Sequence, residues 1–145
     1  MSWPFSSPKI DHRRVLGAIR AAESRTSGEI RVTLARHQVE DPVKAAQAYF
    51  NKMGMAKSAH RNGVLIFLSP PSRKFAVIGD KAVHEVCGDA FWASLAEAMS
   101  AHFRAGDLTA GLVHGIERAG EILAKSFPRT KDDPPAGSPE ASEVD

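Results

Sequence analysis

The chain has 145 residues, the length of one domain, since domains cluster near ~100–150 residues. Its 43% apolar and 25% charged residues fit a globular protein and exclude a wholly disordered or fibrous chain. Nineteen Lys and Arg against 17 Asp and Glu give +2, but the charge is polarised: +8 over residues 13–74, −3 over residues 75–128 and −3 over residues 129–145.

Residues 1–9 contain Pro4 and Pro8, which block a helix and predict a flexible lead-in. A first helix is predicted from Asp11, a good N-cap, with Val15, Ile19 and Ala22 at helical spacing and Arg13, Arg14 and Arg20 on the remaining surface. After Thr26-Ser27-Gly28, the run Glu29-Ile30-Arg31-Val32-Thr33-Leu34 alternates polar with apolar and predicts a strand buried on one face. Asp41-Pro42 then opens a second helix that should reach Met55. Asn62-Gly63 launches Val64-Leu65-Ile66-Phe67-Leu68, apolar on both faces and therefore a central strand. The short Ser69-Pro70-Pro71-Ser72 reversal returns the chain as a third strand over residues 75–79.

A crossover through the second helix sets strands one and two parallel, and the short reversal sets two and three antiparallel. Three further helical segments follow over residues 80–87, 89–104 and 107–125, and Gly111 and Gly115 lie on one side of the last, suited to close helix packing. The fold class is therefore α/β: a small mixed sheet flanked by helices, over residues 10–128. Residues 129–145 carry three of the nine prolines, Pro134, Pro135 and Pro139, with few large apolar side chains, and predict a disordered acidic tail.

The single Cys87 rules out an intramolecular disulfide and any CxxC motif. No apolar run approaches the ~20 residues of a membrane span, and the first residues lack a signal-like apolar stretch, so a soluble cytoplasmic protein without a transmembrane segment is expected. GxSxG, GxxxxGK[ST] and GxGxxG are absent from the sequence, which argues against those hydrolase and nucleotide-binding mechanisms. The arginines of the first helix lack interleaved aromatics, so no nucleic-acid partner is expected. His84 and Cys87 share a helix face without a second ligand pair and read as packing or surface residues.

The topology brings the starts of strands one and two and the end of strand three to one sheet edge. Glu29, Arg61, Asn62, Asp80 and Lys81 form the candidate ligand-binding cleft there, with Glu29 and Asp80 as candidate metal ligands. The plainer reading makes Asp80 an ordinary helix cap and Glu29 a solvated strand residue.

Four segments in register resemble the TPM domain family: residues 27–32 (SGEIRV), 61–67 (RNGVLIF), 75–80 (FAVIGD) and 103–107 (FRAGD) followed by Gly111. The resemblance spans residues 10–127 and implies an α/β/α sandwich, seen in a thylakoid-lumen protein of photosystem II repair and in many bacterial membrane-anchored proteins. It also implies weak acid phosphatase activity in some relatives and a calcium-binding acidic cleft near the NGVL strand in others. Where the family often has Asp before Asn62, this chain has Arg61, which cannot ligate Ca²⁺. Arg61 is expected to stand in for a cation, paired with Glu29 or Asp80. The function expected is a non-catalytic binding or assembly module for a membrane-associated complex, using the sheet edge and the basic first helix. The alternatives are a metal-assisted phosphatase with Glu29 and Asp80 holding calcium or another divalent cation, and a divalent-ion or ligand sensor.

Overall fold

The computed structural model describes residues 10–57, 60–131, 133 and 140–144. The expected flexible lead-in, residues 1–9, lies outside the described residues. Helix α1 (His12–Glu23) starts where the Asp11 carboxylate accepts from Arg14 N at 3.1 Å, and it buries Val15, Ile19 and Ala22. Strand β1 (Ile30–Ala35) follows. Helix α2 (Pro42–Lys52) is capped by Asp41 through Lys44 N at 3.1 Å, with Pro42 at its first position. It stops short of Met55 because Gly54, at φ 74°, turns the chain left-handed, and a 3₁₀ turn (Met55–Lys57) follows.

Strands β2 (Val64–Ser69) and β3 (Lys74–Gly79) are joined by a 3₁₀ turn (Pro70–Ser72) that closes on Arg73 at φ 53°. Helix α3 (Lys81–Arg104) is interrupted at Gly88, whose φ of 72° and ψ of 168° separate the two segments expected from the sequence. Helix α4 (Leu108–Ser126) begins where Asp107 accepts from Ala110 N at 2.9 Å.

The sheet order is β3-β2-β1-β4, with β1 and β2 parallel and β2 and β3 antiparallel, as the connections require. Strand alternation sorts side chains between two layers. Ile30, Val32, Leu34, Val64, Ile66 and Leu68 face α1, α3 and α4, whereas Ala35, Leu65 and Phe67 meet Phe50 and Met55 on the α2 side. Both faces of β2 are buried, which accounts for its unbroken apolar run.

Of the described residues of the expected disordered tail, 129–131, 133 and 140–144, Arg129 and the segment 140–144 are paired with the domain. Arg129 N donates to Arg25 O at 3.2 Å, and Glu140–Val144 forms strand β4, parallel to β1 with Arg31 opposite Glu140. The physical reason is that an edge strand offers a row of unpaired N–H and C=O groups, which bind backbone whatever its side-chain composition. No helix among the described residues is long and apolar enough to cross a membrane.

Candidate functional site

The edge at the N-terminal ends of β1 and β2 is built first from backbone. Val64 N donates to Glu29 O at 2.8 Å, Asp80 N to Gly63 O at 2.9 Å and Ala82 N to Arg61 O at 3.0 Å. These bonds draw residues 29, 61–64 and 80–82 together. A Cβ at Gly28 would stand 3.0 Å from Asn62 O, so a side chain there would push the two loops apart by a few tenths of an ångström.

Asp80 is the focus. Its Oδ1 accepts from Arg61 Nη2 at 2.8 Å and from Lys81 N at 2.7 Å, and its Oδ2 accepts from Arg61 Nε at 2.8 Å. The carboxylate is thus both a helix cap and one half of a fork-to-fork pair. The Asp80 side chain is 4% exposed and that of Arg61 47%, so the acid depends on its partner while the base still reaches water. Hydrogen bonding from Arg61 holds the Asp80 carboxyl below its usual range, against the opposing effect of burial and with help from Lys81 N.

Glu29 does not join them. Its Oε2 accepts from Arg31 Nη2 at 2.9 Å, the pair lying two residues apart on one side of β1. Asn62 is buried, and its side-chain amide donates to Ser27 Oγ at 3.1 Å, tying the two strand-entry loops together. Lys81 is exposed, and its described bond is the backbone one to Asp80. Of the candidate residues, Arg61 and Asp80 are in side-chain contact; Asn62 and Glu29 are each turned to another partner.

The residues present do not fit a divalent cation. Calcium takes about six to eight oxygen ligands, yet both Asp80 oxygens already accept N–H groups from a guanidinium, and Glu29 is engaged by Arg31. Among the described residues no group of three or more His, Cys, Asp or Glu side chains is placed to hold a metal ion. His84 is exposed with its ring 5.8 Å from that of Trp92, and half-buried Cys87 has its thiol pushed up by burial.

Two participants carry no sequence signal as site residues. Glu23 ends α1 buried, with Oε2 accepting from Ile30 N at 2.9 Å at the start of β1; burial raises its pKa, and the Ile30 bond opposes that rise. Asp133 accepts from Thr130 N at 2.6 Å and stands 4.0 Å from His60 Nε2, so the chain beyond α4 returns to the rim beside Arg61.

The sandwich and this rim define a small α/β/α module whose edge acid is neutralised by arginine. The chain matches the TPM domain over residues 9–122, and it belongs to that family. Its fold is similar to the BA42 protein of the psychrophilic bacterium Bizionia argentinensis, at 35% identity and TM-score 0.82, covering 94% of this chain and 97% of that one. It is also similar to the N-terminal domain of a P. gingivalis protein, at 20% identity and TM-score 0.60 over 78% and 71% of the two chains, a likeness of fold alone. No curated protein matches the chain.

Proposed function

We propose that this TPM-domain chain is a non-catalytic binding module whose Arg61 rim receives an acidic group of a protein partner in a membrane-associated complex. The observation that carries this reading is the double hydrogen bond from Arg61 to both oxygens of Asp80. It commits the buried Asp80 carboxylate to a guanidinium, so metal-assisted phosphoryl chemistry at Asp80 would first have to break the pair. The bonds use Nε and Nη2, which leaves Nη1 of a half-exposed arginine to meet a second carboxylate, with the Lys81 ammonium next in sequence to the acid.

The test has two arms. Phosphomonoesterase activity is measured at acid and neutral pH with and without Ca²⁺ and Mg²⁺, and no metal-stimulated turnover is expected. Turnover that Asp80→Ala abolishes would overturn the reading. Calcium titration calorimetry on the wild type and Arg61→Asp forms the second arm: heat of binding is expected from the variant alone, because the substitution replaces a bound cation's charge with an oxygen ligand.

A further inference from the structure

We propose that the outer edge of β1, roofed by the basic helix α1, is a docking slot for an acidic extended peptide, and that the chain's own Glu140–Val144 is its occupant in cis. This surface is separate from the Arg61–Asp80 rim, and the inference does not depend on that reading.

Three observations converge on it. First, β4 is the terminal strand of the β3-β2-β1-β4 order, so it joins the sheet through β1 alone, from Arg31 opposite Glu140 to Ala35 opposite Val144. Second, β4 meets β1 by main-chain pairing over five residues, the kind of contact that strand addition to a sheet edge uses. Third, α1 packs along β1 and β4, and its exposed Arg13, Arg14 and Arg20, with Arg25 just beyond it, make no ion pair with any described residue.

Charge complementarity selects the occupant. Residues 140–145 contain Glu140, Glu143 and Asp145 and no basic residue. Cations left without partners beside the slot favour an acidic strand by attraction that reaches roughly a Debye length, ~8 Å at physiological salt. A partner presenting an acidic extended segment competes with β4 for the same edge, so the tail sets a threshold that the partner must exceed.

The experiment uses the full chain. Successive N–H groups of a strand point to opposite sides, so the double substitution Ala141→Pro with Ser142→Pro removes a ladder donor whichever of the two faces β1. Hydrogen exchange of β1 amides is followed in wild type and variant, and binding of a fluorescent peptide with the sequence of residues 138–145 is titrated against both. The expected results are β1 exchange about tenfold faster in the variant with β2 and β3 unchanged, and peptide affinity about tenfold higher for the variant than for wild type. Replacing both glutamates of the peptide by glutamine is expected to weaken binding about threefold, as is Arg13→Gln with Arg14→Gln and Arg20→Gln in the protein. Equal β1 exchange in the two proteins, or equal peptide affinity, overturns the slot. A neutral peptide that binds as tightly as the acidic one overturns its charge selectivity.

Discussion

Arg61 reaches Asp80 from a left-handed backbone: its φ is 51°, and from there the guanidinium grips a carboxylate nineteen residues further along at 2.8 Å. Arg61→Ala and Arg61→Gly both remove the pair, but glycine also relieves the left-handed strain, which costs roughly 1 kcal/mol in other residues. The glycine variant is therefore expected to be more stable than the alanine variant by about 1 kcal/mol in urea unfolding. Equal stability of the two would show that the backbone at 61 stores no strain.

The same pair predicts an acid response. Asp80 titrates below its ordinary value of 3.8 in the folded state. Its stabilisation is therefore complete above that value and is lost as pH falls through the depressed one. In Arg61→Ala that acid-sensitive part of the Tm profile should shrink, and thermal melts from neutral pH to below 3.8 measure it.

Glu23 carries the opposite sign. Its folded pKa is raised above 4.5, so its contribution is most favourable below that value and declines as pH rises through the folded one. Glu23→Gln keeps an oxygen acceptor for Ile30 N without a buried charge, and it should match or exceed wild-type Tm at neutral pH. Glu23→Ala orphans that buried N–H and should cost about 1–3 kcal/mol.

Packing between the last two helices gives a graded pair. A Cβ at Gly111 would overlap the ring of Phe103, whereas at Gly115 it would lie 2.7 Å from Met99 Sδ. Alanine returns up to ~1 kcal/mol of helix propensity, and overpacking costs about 1–3 kcal/mol. The rigid, fully buried phenyl ring cannot yield as an unbranched thioether can. Gly111→Ala should therefore be clearly destabilising and Gly115→Ala nearly neutral in the same denaturation assay.

Thr33 supplies a fourth contrast. Its hydroxyl is buried in β1 without a hydrogen-bond partner among the described residues. Thr33→Val preserves shape and strand propensity and removes the unsatisfied group, so a gain of about 1 kcal/mol is expected from thermal or urea unfolding.

Much of the fold was legible because its signals are local. The apolar run of β2, the alternation in β1, the caps Asp11, Asp41 and Asp107, and the close-packing glycines each follow from residue type and spacing. The candidate edge was legible in outline because strand direction places residues 29, 61 and 80 at one end of the sheet. Side-chain pairing was less so. Arg31 lies on the same face as Glu29 two residues away, and that local geometry wins over the more distant Arg61. Glu23 lies on the buried side of α1, where composition predicts an apolar residue, and Ile30 N explains it only after the chain has turned back. Strand β4 has no apolar alternation to announce it, since β1 selects it through backbone groups.

The break at Gly88 gives the long helix α3 two mechanical parts. Residues 81–87 follow the cap at Asp80 and bring Val83 to the core, while residues 89–104 bring Leu95, Met99 and Phe103. A Cβ at Gly88 would meet nothing within 4 Å, so its left-handed φ of 72°, and not crowding, sets the residue type there. The joint gives the two segments separate axes, so Val83 and Cys87 on the first and Leu95, Met99 and Phe103 on the second all reach one apolar layer, which a single straight rod from Lys81 to Arg104 would not allow.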